Sequence, residues 1–361
     1  MIKKLTYLIL LACMFIPTFA HAQSEASKAK VIDVITSEQV ELEGLSITTT
    51  VQTINVLFVD GPHAGTQKTF VQDKFVVEEG ETVFVQETED GKFQLLEKDR
   101  TQMILWTLAL FLALIVLLNG KQGVKSILGL ALSFAVIIFI MLPLVLKGFN
   151  PLIVSVFVGA AVLSAVLFLS HGYNRGSVIA LLGTLGAIVC AGALSFAVSY
   201  WMKLTGLGSD EALSAMVATK GVIDFSDLLL AGIIVGMLGV LDDIAITQVA
   251  VVGEIKRADP TLPVREIFTR ALRVGKEHVS ALVNTLVLAY TGASFPLLIL
   301  LYNSDVRFDL LVSQEIVSAE IVRTLVGSIG LIVAVPLTTY LAAKYLSKDD
   351  HVHGAHCGHS H

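Results

Sequence analysis

Seven long apolar stretches dominate the chain, near 101–119, 124–146, 151–170, 177–200, 227–253, 279–302 and 321–345. Each approaches or exceeds the roughly 18 apolar residues that a helix needs to cross about 30 Å of hydrocarbon. A different pattern precedes them. A β-branched run extends from Ile47 to Val59, Asp60-Gly61-Pro62-His63-Ala64-Gly65 supplies a turn, and Thr69-Phe70-Val71 returns. A second pair, Thr82-Val83-Phe84-Val85 and Phe93-Gln94-Leu95-Leu96, flanks Glu89-Asp90-Gly91. Apolar strands around Asp-Gly turns predict antiparallel hairpins. Before both lies a leader. Lys3 and Lys4 are followed by apolar Leu5 to Phe19 and by the small-residue site Ala20-His21-Ala22, the order of a secretory signal peptide.

The pattern predicts a mainly α fold: a polytopic transmembrane bundle of about seven helices with a small N-terminal extracytoplasmic β-rich domain. The expected parts are a signal peptide at 1–22, the β-rich domain at 24–98, the helical domain at 99–346 and a cytoplasmic His-rich tail at 347–361. Composition agrees. Hydrophobic residues make up 54% and charged residues 16%, where a soluble domain carries about a quarter charged. The cysteines are Cys13, Cys190 and Cys357, none of them in 24–98, so no disulfide framework is expected there.

Charge sets the expected orientation. Segments predicted inside carry Lys121, Lys125, Arg175, Lys256, Arg257, Arg265, Arg270, Arg273, Lys276, Lys344 and Lys348. Short outer loops carry Lys147, Lys203, Lys220 and Arg307. Under the positive-inside rule this places the C-terminus in the cytoplasm and the protein in the cell (inner) membrane. The amphipathic stretch from Val264 to Val274 is expected to lie along the inner surface. The partners expected are the lipid bilayer and an ion or small solute, with no nucleic acid and with self-association left open.

Candidate chemistry begins with Asp242 and Asp243, inside the fifth apolar run. A charge at bilayer depth costs roughly 2.5–3.5 kcal/mol, and such acids mark pathways and proton relays. Adjacent helical residues point about 100° apart, so only one can face a given seam. Asp243 shares a face with Gly236, Gly239 and Thr247, and Gln248 follows. Asp243 lies about 15 Å from the inner end of its run. Equal depth elsewhere selects Gly183, Thr184 and Gly186, then Asn284 and Thr285, then Pro336, Thr338 and Thr339. Small and hydroxyl residues let helices approach and bond across the seam. The expected transport or coordination set is therefore Asp242, Asp243, Thr247, Gln248, Asn284, Thr285 and Thr184. Tight packing alone is the competing explanation.

Other features are weighed less. His63 stands alone in a turn, and Glu320 with Arg323 is spaced to pair at the outer interface. The tail offers His351, His353, His356, Cys357, His359 and His361. Imidazole and thiolate suit a transition metal ion such as zinc, nickel or copper. No catalytic residue is expected. Facing carboxylates from two helices would be needed for aspartyl chemistry, and the remaining candidates, Asp224 and Asp227, sit on the same helix as the pair.

Several ordered pieces resemble a known family. They are Gly61-Pro62-His63-Ala64-Gly65, Asp99-Arg100, Gly120-Lys121-Gln122-Gly123, and Leu142-Pro143 leading to Gly148-Phe149-Asn150-Pro151. Gly236 to Glu254, Asn284 to Gly292, and Gly327 to Gly330 with Val335-Pro336-Leu337-Thr338 complete the order. The chain is similar to the YibE/F family of bacterial membrane proteins over about residues 50–345. The resemblance implies an exported N-terminal domain and a multi-helix membrane domain, without a settled activity. It also implies that a single acid is usual at Asp242, with Asp243 standing where an apolar residue is usual. Two functions are expected to compete: a transporter using intramembrane carboxylates for a cation or proton, extending to divalent metals, and a membrane-anchored sensing or assembly protein.

Overall fold

The computed structural model describes residues 26–41, 48–88 and 90–346. The signal peptide and the His-rich tail expected from the sequence lie outside them. The chain divides into two compact units within its first helix, one ending at Ile115 and the other beginning at Val116. Each is described by itself.

The first unit carries five antiparallel strands: β1 (Ala26–Glu41), β2 (Thr48–Phe58), β3 (Gln67–Gln72), β4 (Thr82–Glu87) and β5 (Phe93–Lys98). Their order is β3-β2-β1-β4-β5, a small curled half-barrel. Four of these follow the expected hairpins. The central strand β1 does not appear among them. Its register shifts between Val31 and Asp33 and again between Val34 and Thr36, and such bulges break the period of two by which a strand is recognised. The core is Ala29, Val31, Ile54, Val56, Phe58, Val83, Val85 and Leu95. Two buried glutamines close its edge. Gln72 Nε2 donates to Gln52 Oε1 at 2.9 Å, and Gln52 exchanges bonds with the Val77 backbone at 2.8 and 3.1 Å.

The second feature is the run of helices. α1 (Thr101–Val136) continues through a π-helical turn at Ile137–Met141 into α2 (Leu142–Leu146). This segment holds 46 residues, more than twice the roughly 20 that one crossing of the hydrocarbon needs. It breaks at Gly120, with φ 53° and ψ −126°, a left-handed conformation that only glycine adopts without strain. The two expected spans at 101–119 and 124–146 fall on either side of that break.

Then follow α3 (Pro151–His171), α4 (Arg175–Met202), α5 (Asp210–Ala218), α6 (Phe225–Ala258), α7 (Val264–Ala293), α8 (Phe295–Tyr302), α9 (Phe308–Ser313) and α10 (Glu315–Tyr345). Among the described residues, five helical segments are long and apolar enough to cross a membrane, and α7 with α8, bent by 68°, passes the same test as a pair, as a broken span or a re-entrant loop. α7 corrects one expectation. The amphipathic surface helix and the sixth span are one helix that turns only after Ala293. Apolar periodicity passes from one environment to the next without a breaker residue, so the backbone has no reason to stop.

α6 and α10 form the centre. They pack on each other and on α4, with α7 against both and α3 against α6. Close approach depends on small residues. A Cβ on Gly330 would sit 3.0 Å from both Ala191 and Met237, and one on Gly183 would sit 2.1 Å from Thr338 Oγ1. Lipid supplies no hydrophobic drive between helices, so such contacts carry the association.

Candidate functional site

The fold brings polar groups from four helices to one level. Gln248 on α6 is fully buried. Its Oε1 lies 2.9 Å from Thr339 Oγ1 on α10, whose single proton it shares with the nearer Val335 carbonyl at 2.6 Å. Pro336 lies inside α10 beside these threonines. A proline removes one helical donor and loosens the local ladder. The glutamine side chain lies against Gly275 on α7, where a Cβ would approach Nε2 to 2.7 Å. Thr338, also fully buried, is pressed on Gly183 of α4. Next to Gly183, Thr184 is 1% exposed and turns its hydroxyl to the Ala180 carbonyl at 2.9 Å.

The layer is only partly satisfied. Gln248 Nε2, Thr338 Oγ1, Asp242 Oδ1 and His278 Nε2 are all enclosed without a hydrogen-bond partner among the described residues. Leaving such a group unpaired costs about 1–3 kcal/mol each. Asp242 is half-buried on α6, six residues or somewhat under two turns before Gln248. His278 stands three residues after Gly275, on the same helix face.

Not all expected residues belong. Thr247 is half-buried, whereas Asp243, Asn284 and Thr285 are exposed on the surface of the described chain. Thr285 spends its hydroxyl on the Ala281 carbonyl at 3.0 Å. Asp243 instead lies within electrostatic reach of His171, at the end of α3, which is also within reach of Lys125. Of the two acids, Asp242 has the enclosed oxygen. On α7, Gly275 meets Gln248 and Tyr290 reaches Gly236. Asn284 and Thr285 fall between those two levels, towards the depth of Asp242, on an exposed face of the helix. Gly275 and His278 lie on the stretch from Val264 that the sequence assigned to a surface helix, so they did not enter the expected set.

No cluster of three or more His, Cys, Asp or Glu side chains suited to a metal exists among the described residues. The tail histidines and Cys357 lie outside those residues. Glu320 and Arg323 do pair, at 2.7 Å.

The β-rich unit has its own pocket, of about 350 Å³. His63 Nε2 meets Glu87 Oε2 at 2.8 Å, and the His63 ring lies 5.6 Å from Phe58 and 5.3 Å from Phe93. The solitary turn histidine of the sequence thus gains a carboxylate and two aromatic neighbours. Gly61 permits this turn, with φ +78° and a hypothetical Cβ 2.0 Å from Ser27 Oγ.

A family model described as YibE/F-like protein matches residues 107–348. Comparison with curated proteins and with solved structures returns no match.

Proposed function

The chain belongs to the YibE/F-like family, and from that premise we propose that this membrane protein is a transporter that moves a cation or proton past Asp242. One observation carries the reading: among the described residues, Asp242 presents an enclosed, unpaired carboxylate oxygen on the helix that also carries the buried Gln248, about 9 Å farther along its axis. An intramembrane acid that can bind a cation or change its protonation is the usual coupling device of carriers. Carboxylate, amide and hydroxyl oxygens favour hard ions, so protons, magnesium and manganese fit this layer better than copper. In this reading the basic end of the bundle faces the cytoplasm of a bacterial inner membrane, and the β-rich unit is exported. The tail supplies a transition metal site as an accessory. No enzymatic step is assigned.

The test is flux of protons, Mn²⁺ and Zn²⁺ in proteoliposomes, with wild type, Asp242→Asn, Asp243→Asn and a chain ending at Lys348. Flux lost in Asp242→Asn but retained after truncation supports the carrier. Full flux in Asp242→Asn refutes it.

A second reading, sensing or assembly, is favoured by the His63–Glu87 pocket of the β-rich unit. It predicts a co-purifying partner that is lost when His63 is replaced by alanine.

A further inference from the structure

A groove of about 590 Å³ opens on the bundle where the start of α4 meets the end of α10. Its walls are aliphatic. Val178 and Leu182 stand one turn apart on α4, and Leu341 with Tyr345 one turn apart on α10. The two helices run antiparallel here, since Gly183 touches Thr338 one turn farther in. The groove is therefore a slot that follows the helix axes for about two turns.

Its mouth is different. Tyr173, Asn174 and Arg175 line it from the α3–α4 turn. Lys344 stands beside it, with its ammonium 5.1 Å from the Tyr345 ring and 5.7 Å from the Tyr340 ring. Tyr173 is held against Phe168, ring centres 5.0 Å apart. Tyrosines mark the headgroup level of a bilayer. Arg175 and Lys344 are both exposed at that level. An apolar slot reaching into hydrocarbon, topped by two cations and two phenols, is complementary to one kind of molecule.

We propose that this groove binds an anionic phospholipid, with one acyl chain along Val178, Leu182 and Leu341 and the phosphate at Arg175 and Lys344. Basic pockets between membrane helices recognise acidic headgroups in this way, and each cation near the surface contributes about fivefold in affinity. Arginine suits the phosphate because its planar fork donates two parallel bonds. The groove is remote in sequence from the Asp242 carboxylate, and the inference stands whether or not the protein transports an ion.

The experiment is native mass spectrometry of the full chain after delipidation in detergent. It is titrated in parallel with phosphatidylglycerol, phosphatidylcholine and glycerol phosphate. One phosphatidylglycerol should be retained at about fivefold or more lower concentration than phosphatidylcholine. Leu182→Trp should abolish retention of that lipid. Leu182 is 54% exposed, so the larger ring fills the slot without entering the core. Arg175→Gln should reduce phosphatidylglycerol about fivefold and leave phosphatidylcholine unchanged. Thermal unfolding confirms that each variant is folded. Equal retention of both lipids by the wild type, or unchanged retention in Leu182→Trp, overturns the proposal. So does Arg175-dependent retention of glycerol phosphate at the lipid's concentration, which would make the mouth a soluble-anion site.

Discussion

Replacing Asp242 by asparagine should stabilise the protein and stop the proposed transport together. Asp242 Oδ1 is enclosed and has no hydrogen-bond partner among the described residues. A charged side chain at bilayer depth costs roughly 2.5–3.5 kcal/mol. The asparagine amide keeps an unpaired polar group there, at about 1–3 kcal/mol. The difference leaves a net stabilisation of about 1 kcal/mol. For a helical unit of this size that corresponds to a rise in Tm of about 2–4 °C. The assay is thermal unfolding in detergent at neutral pH, run beside the proteoliposome flux measurement. Sites that hold an unfavourable charge commonly trade stability for activity. A fall in Tm would refute the reasoning, because the carboxylate would then be anchoring a favourable contact. Unchanged flux would separately remove Asp242 from the transport path.

Three further outcomes follow from the same geometry. Gly183→Ala should destabilise by about 1–3 kcal/mol or more, since its methyl would meet Thr338 at 2.1–3.0 Å and α4 must move off α10; chemical or thermal unfolding reads this. Thr339→Val, nearly isosteric, strands Gln248 Oε1 and should cost about 1–3 kcal/mol, whereas the double variant Thr339→Val with Gln248→Leu should recover most of it. Asp99 is held down to about 2 by bonds from Thr101 and then from Lys28, whose ammonium lies 2.9 Å away. A depressed carboxyl stabilises above its unfolded pKa near 3.9 and loses that contribution as pH falls towards 2; with Lys28 partly exposed the term is about 1 kcal/mol. Hydrogen exchange of β1 and β5 amides in the full chain between pH 5 and 2.5 should show it, and Asp99→Asn should flatten the profile.

The transmembrane runs were legible because lipid imposes a length on every helix that crosses it. Even the break at Gly120 showed as an interruption between two apolar stretches. The hairpin turns at Gly61 and Gly91 were legible for a similar reason, because positive φ narrows the choice of residue. Strand β1 was not, since two register shifts and interspersed charges hide its alternation. In the candidate site, Asp242 and Gln248 could be read as misplaced polar residues in an apolar run. Their neighbours could not. Depth counting finds residues at one level and does not say which face of a helix turns inward, so exposed Asn284 and Thr285 were selected. Gly275 and His278 fell on the stretch after Val264 that was assigned to the surface, because nothing in the sequence separates surface from span within that one helix. Exposure of Asp243 was equally hidden, because adjacent acids on one helix differ only in what packs around them.

The pairing within the central layer bears on what it can do. Unpaired hydroxyls occur elsewhere on α4 too, at Ser177, Ser195 and Ser199 among the described residues, and a layer that only fixes helix positions gains from partners for its polar atoms. Thr184 and Thr339 meet that standard through their own helix carbonyls. Gln248 only shares the Thr339 proton at its oxygen and leaves its nitrogen unpaired, and Thr338 and Asp242 each leave an enclosed oxygen unpaired among the described residues. Apolar residues of similar size would remove these costs without opening the helix contacts. Polar atoms held at such expense are suited to a partner that comes and goes, a water, a proton or a cation. Small residues at Gly183 and Gly275 bring the helices close enough for one such partner to be shared between them. The proline in α10 adds a point in the same stretch where the ladder can yield.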